Sequence, residues 1–277
     1  MEITKRMAVL IDADNVSHRI IEVILSEVAK YGALTSKRIY GDWSASHLSG
    51  WKEKLHGYAI TPIQQFANSS GKNSTDSALI IDAMDMLHSA RFDGFCIVSS
   101  DGDFTRLATR IREQGLLSLG VGKQTTPKAF VAACDKFIFV ENLEIPLEDK
   151  AVLTNERQKI IGTDQPSTAN PALGSVMRMN TELVRLLRDS FDESADEDGW
   201  SALGRLGNAI SKRSPEFDAR TYGYAKFKGF LQAIELFELQ NRPASNGGFN
   251  TYAKKLPPKT KSKKTVTDSN VDERPSI

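Results

Sequence analysis

Gly94–Phe104 reads GFCIVSSDGDF. The run from Gly94 to Val98 carries no charge, and two serines and two aspartates close it. A short, unbroken apolar run fits a strand buried on both faces, the condition inside a parallel sheet. A turn after such a strand explains one aspartate. Asp101 and Asp103, one glycine apart, ask for a second reason.

Working outward, similar runs begin at Met7 (MAVLID), Lys37 (KRIYGD), Ala59 (AITPIQQF), Leu116 (LLSLGV) and Lys136 (KFIFVE). Helical patterns separate them. The first puts Ile20, Ile21, Ile24, Leu25 and Val28 on one stripe and stops at Gly32; others start near Ser46, Thr75, Asp103 and Pro127. Strands alternating with helices predict an α/β domain, a parallel sheet with helices on both faces.

The bulk numbers permit this. The chain has 277 residues, 40% of them hydrophobic, which is ample for a core. A net charge of +1 leaves nucleic-acid binding to local patches. With two cysteines and no Cys/His cluster, no zinc site is expected. No run reaches the length of a membrane span, and the N-terminus turns charged too early for a signal peptide, so a cytoplasmic protein is expected.

In an open parallel sheet, ligands sit beyond the carboxyl ends of the strands where strand order reverses. The strand from Met7 ends Asp12-Ala13-Asp14-Asn15, and the strand from Gly94 ends Ser99-Ser100-Asp101-Gly102-Asp103. As neighbours, they bring Asp12 and Asp101 side by side, with Asp103 and Asn15 close. Asp76 opens the helix before Gly94, at the same edge if the crossover is right-handed. Four converging carboxylates repel unless neutralised. Mg²⁺ or Mn²⁺ is the natural counterion, and phosphodiester hydrolysis the reaction such a site suits. Each aspartate also has an ordinary reading as a turn or helix-cap residue. Asp82 and Asp85 lie about 120° and 180° around the helix from Asp76 and are expected in supporting or solvated positions. The histidines are scattered and offer no general-base constellation.

MAVLIDADN, GKNSTDSALIIDAMD, VSSDGDFTRLATRIREQG and TPKAFVAACDKFIFVENL together resemble the NYN domain, and within it the LabA-like bacterial branch related to PIN nucleases. The resemblance implies a PIN-like three-layer fold and a metal-dependent ribonuclease, and the leading reading is an endoribonuclease. It puts the acidic positions on Asp12, Asp76, Asp101 and Asp103, with Asn15 beside them and Mg²⁺ or Mn²⁺ as cofactor. Ser100 is expected at the substrate. Lys72, in the loop before Asp76, reads either as a phosphate contact or as a plain loop lysine.

After Glu144 the alternation fails. TDQPSTANPALG, from Thr163, reads as linker. A second block starts with a helix from Ser175 that points Val176, Met179, Leu183, Leu186 and Leu187 inward. Its DGW start, LGxLGxxI spacing and FDxRTYGYxKFxxFL run resemble the OST-HTH or LOTUS domain, a small winged helix. That resemblance implies RNA binding or protein docking. Lys212, Arg213, Arg220 and Lys226 are expected at phosphates, with Tyr222 available for stacking. Phe227, Phe230 and Leu231 read as core. Expected boundaries are 1–148 for the nuclease-like domain, 149–174 for the linker, 175–253 for the winged helix and 254–277 for a disordered basic tail.

Two rival functions remain at this stage. Asp12-Ala13-Asp14 mimics the nucleophile motif of a HAD-like phosphatase. A noncatalytic RNA-binding adaptor would keep the same acidic cleft. The partner expected in the leading reading is RNA, single-stranded, with a protein partner through the winged helix as the alternative.

Overall fold

The computed structural model describes residues 4–66, 74–143, 177–243 and 248–257. Lys72, the 149–174 linker and the tail beyond 257 lie outside them.

Six strands form the first sheet: β1 (Arg6–Asp12), β2 (Ala33–Gly41), β3 (Thr61–Gln64), β4 (Gly94–Val98), β5 (Leu117–Gly122) and β6 (Lys136–Phe139). All neighbours are parallel, in the order β3-β2-β1-β4-β5-β6. Each overlaps a run expected from the sequence, although β2 begins at Ala33, four residues before the run at Lys37, in a stretch that is only partly buried. β4 is buried along its whole length, as an uninterrupted run requires. Pro62 lies in β3, an edge strand, where a missing N–H costs little.

The helices are α1 (Ile21–Val28), α2 (Trp51–Gly57), α3 (Ser74–His88), α4 (Thr105–Glu113) and α5 (Lys128–Ala133). The helical pattern near Ser46 resolves into a short 3-10 turn, Ser46–Leu48, followed by α2. Two apolar layers result. Ile20, Ile21, Ile24, Val28 and Trp51 pack on one face of the sheet. Leu79, Ala83, Phe104, Leu107, Ile111 and Phe130, from α3 to α5, pack on the other. Ile24 is fully buried, so Ile24→Ala would cost about 2–5 kcal/mol through lost transfer energy and a cavity.

Chain order reverses between β1 and β4. The register Ile11↔Val98 sets the ends of these two strands opposite one another. The loops after β1 and β4 therefore meet at the carboxyl edge, with the start of α3 arriving there too.

The second unit holds α6 (Thr181–Ser194), α7 (Leu203–Arg213), α8 (Phe227–Ile234) and a three-stranded antiparallel sheet of β7 (Ser201–Ala202), β8 (Phe237–Pro243) and β9 (Phe249–Lys255), ordered β7-β9-β8. β8 and β9 form the wing. Leu187, Leu206, Ile210, Phe230, Leu231 and Ile234 make its core. One expectation is corrected. Met179 is 80% exposed, and Met177 is buried instead. The cause is Asn180, whose side chain accepts from the Leu183 N–H at 3.0 Å and caps α6 there. Residues before that cap are out of phase with the helix stripe.

This unit touches β6, the far edge of the first sheet. The Phe137 N–H donates to the Pro215 carbonyl at 3.1 Å. Lys136 Nζ donates to the Phe217 carbonyl at 2.7 Å, and Asn142 Nδ2 to Thr221 Oγ1 at 2.8 Å. These contacts cover an edge whose polar backbone groups would otherwise invite another strand.

Candidate active site

Asp76 lies in the first turn of α3, and Asp101 and Asp103 in the turn after β4. One carboxylate oxygen from each can be chosen so that all three lie within 4.8 Å of one another. No other such group of His, Cys, Asp or Glu occurs among the described residues. Each element brings its side chain for a local reason. The Asp101 carboxylate accepts from the Asp103 N–H at 2.9 Å, so it shapes the turn. A carboxylate has about four lone-pair sites, so this cap leaves capacity for another ligand.

Asp12 stands apart from the trio. It is 1% exposed and takes three donors: Asn15 Nδ2 at 2.6 Å, Ser99 Oγ at 2.8 Å and the Asp14 N–H at 3.2 Å. Burial pushes its pKa up in spite of those bonds. Asp76 is pushed up to about 6, first by desolvation, then by the charges of Asp12, Asp101, Asp103 and Asp14. The site thus carries the repulsion expected of carboxylates without a counterion.

Ser99 does what the sequence reading did not foresee. Its hydroxyl donates to Asp12 and accepts from the Asp101 N–H at 3.1 Å, so it joins the two loops. The strand register is the signal that finds it: one step past Ile11↔Val98, Asp12 faces Ser99. Ser100 instead accepts from the Lys123 N–H at 2.9 Å, beyond β5. His47, one of the histidines scattered in the sequence, reaches the same loops. Its Nε2 lies 3.0 Å from Asp14 Oδ1, across 33 residues of sequence. Asp82 pairs with Arg38 and accepts from the Tyr40 hydroxyl, tying α3 to β2. The enclosed Asp12 carboxylate is badly placed as a nucleophile, so the HAD-like phosphatase reading finds no support.

The donor set suits a hard cation. It offers only carboxylate oxygens, with neither imidazole nor thiolate among the three, and oxygens spaced this way can close on a Mg²⁺- or Mn²⁺-sized ion.

The NYN domain family matches residues 6–144, half of the sequence. The chain belongs to the NYN domain family. The OST-HTH/LOTUS domain matches residues 178–248. An NYN domain is a PIN-like nuclease domain, so the chain joins a nuclease domain to an RNA-binding one. Among solved structures, a protein of unknown function from Vibrio parahaemolyticus is similar at 18% identity, over 50% of this chain and 95% of its own, with a TM-score of 0.43. An uncharacterized protein from Nitrosomonas europaea is similar at 25% identity, over 35% of this chain and 84% of its own, with a TM-score of 0.26. No curated protein matches. No helix among the described residues is long and apolar enough to cross a membrane.

In the LOTUS domain the expected phosphate contacts divide. Lys212 and Lys226 are exposed. Arg213 pairs with Glu193 at 2.9 Å. Arg220 turns toward the NYN domain: its guanidinium reaches Glu27 of α1 at 2.8 Å and Asp218 at 2.6 Å. Glu27 and Asp218 are both held below the usual carboxylate range, although burial opposes this, because Arg220 bonds to them. Tyr222 packs on Phe230 with ring centroids 5.2 Å apart. A basic-aromatic stack appears elsewhere, on the wing. The Arg242 guanidinium lies 4.6 Å from the Trp200 ring and 4.7 Å from the Tyr252 ring.

Proposed function

We propose that the protein is a Mg²⁺- or Mn²⁺-dependent endoribonuclease acting on single-stranded RNA, with the LOTUS domain as its RNA-binding module. The observation that carries this reading is the trio of carboxylate oxygens within 4.8 Å at the carboxyl edge of the sheet. Asp76, Asp101 and Asp103 are the residues to hold the ion. A bound divalent ion supplies charge for the transferring phosphoryl group and an activated water.

The chain's own residues do the rest. Asn15 and Ser99 donate to Asp12, so its negative charge is fixed in direction and set next to the site. Ser99 also fixes the backbone of Asp101. Such fixed groups keep the acidic cage in one geometry while substrate enters. Without an ion the same cage repels phosphate, which makes binding and cleavage both ion-dependent. Ser100 and Lys72 are assigned to the substrate side.

The test is cleavage of single-stranded RNA by the full chain with Mn²⁺, with Mg²⁺ and with EDTA, for the wild type and Asp101→Asn. Ion-dependent internal cleavage by the wild type, lost in the variant, is the expected result. RNA that stays intact while still bound would overturn the nuclease reading in favour of an adaptor.

A further inference from the structure

The acidic trio draws on α3 and on the turn into α4, elements packed on one face of the sheet. The other face, under α1 and α2, has a different character at the same edge. A cleft of about 260 Å³ opens there between the loop after β1, the turn Ser46–Leu48 and the end of β5. Asp14, Asn15 and Ser100 line it, from the same two loops that carry Asp12 and Asp101, so it opens beside the acidic trio. His47 and Lys123 also line it, and its floor is apolar, with Val16, Ile20 and Val140. A second cleft of about 460 Å³ adjoins it, lined by Arg19, Lys52 and Lys54 against one acid, Glu53.

His18 lines both clefts. Its ring is held edge-on to Trp51, with centroids 6.3 Å apart. A Cβ at Gly50 would come within 2.5 Å of that ring. The bare backbone at position 50 is what lets the imidazole lie where the two clefts meet. Together they form one track. It runs from the loops beside the acidic trio, past Lys123, His47 and His18, to the cations Arg19, Lys52 and Lys54.

We propose that this track is the path of the single-stranded RNA on the NYN domain. The smaller cleft takes the nucleotide that flanks the scissile phosphate. The larger one holds backbone phosphates further along the strand. The assignment rests on the nuclease reading of the acidic edge, and its physical basis is charge. An acidic cage repels a polyanion, so the strand must be held beside the cage, and the two clefts there offer Lys123 and then Arg19, Lys52 and Lys54 as cations. RNA contact is thereby assigned to six residues of the NYN domain, independent of the LOTUS domain.

The experiment compares full-length Asp101→Asn with the same protein carrying Arg19→Ala, Lys52→Ala and Lys54→Ala. The probe is a fluorescent oligouridylate, titrated with Mn²⁺ at several salt concentrations. The contribution of the LOTUS domain is common to both proteins and cancels. Loss of three phosphate contacts should weaken binding and lower the log–log salt slope by about 2, at roughly 0.7 per contact. In the active protein, with Asp101 unchanged, the same triple change should raise KM and leave kcat in place. The charge-conserving set Arg19→Lys, Lys52→Arg and Lys54→Arg should restore binding, which separates lost charge from lost fold. Equal affinity and equal slope for the triple variant overturn the proposed path. Should the wild type cleave no RNA, the nuclease reading falls, and the binding comparison still decides the path.

Discussion

Asp76→Asn should stabilise the ion-free protein at neutral pH. The carboxyl of Asp76 is raised from 3.8 to about 6. At ~1.36 kcal/mol per pKa unit, that is a penalty of ~3 kcal/mol for ionising it in the native state. Asp76 is partly exposed, and solvent screening cuts the figure to about 1.5 kcal/mol. Its place in the first turn of α3 works the other way, since the helix dipole favours a negative charge there by about 0.5 kcal/mol. The net gain on substitution is about 1 kcal/mol, or roughly 3 °C in Tm. The native state binds the Asp76 proton more tightly than the unfolded chain does. Wild-type stability therefore falls as pH rises from 3.8 through about 6 and levels off above. The variant should lack this step, so its advantage should vanish near the ordinary aspartate pKa of ~3.9. Urea melts in EDTA at both pH values measure this. Added Mn²⁺ should reverse the order, because an ion that binds only the native state stabilises the wild type more. A variant less stable than wild type by the same amount at both pH values would refute the argument and make Asp76 an ordinary helix-start residue.

Asp101→Asn should abolish Mn²⁺-dependent cleavage with no loss of melting temperature, because the asparagine oxygen can still accept from the Asp103 N–H; an active variant would remove Asp101 from the site. Arg220→Ala should cost about 2–3 kcal/mol, somewhat under a fully buried pair, because it takes the guanidinium from Asp218, at 15% side-chain exposure, and leaves Glu27, at 11%, with Lys30 alone. A double-mutant cycle with Glu27→Gln reads the part that crosses between the domains, and zero coupling would show that the contact contributes nothing. Deletion from Ser175 onward should weaken RNA affinity and flatten its salt dependence while slow, ion-dependent cleavage persists. Unchanged affinity and slope would point the LOTUS domain toward a protein partner.

Local pattern was enough for the elements. The runs starting at Met7, Lys37, Ala59, Gly94, Leu116 and Lys136 each mark one of the six strands, most sharply β1 and β4, where burial on both faces needs unbroken apolar sequence. The edge that gathers Asp12, Asp76, Asp101 and Asp103 was legible for a related reason. In a parallel α/β sheet every strand ends, and each helix that crosses back to a new strand begins, on the same side, so chain order alone assigns a residue to that edge.

What the sequence alone could not decide is which atoms meet. Ser99 and Ser100 are adjacent and alike, yet only the β1–β4 register turns Ser99 toward Asp12. His47 finds Asp14 across 33 residues, and Arg220 finds Glu27 across 193. Arg220 sits in a run of basic and aromatic residues that looks like an RNA surface, and its guanidinium faces the other domain. Met179 fits the helical stripe by spacing, and the Asn180 cap takes it out of phase. Periodicity reports the side of an element a residue occupies, because that is set by backbone geometry within a few residues. The partner it meets there is set by packing between segments far apart in the chain, and only the tertiary structure holds that information.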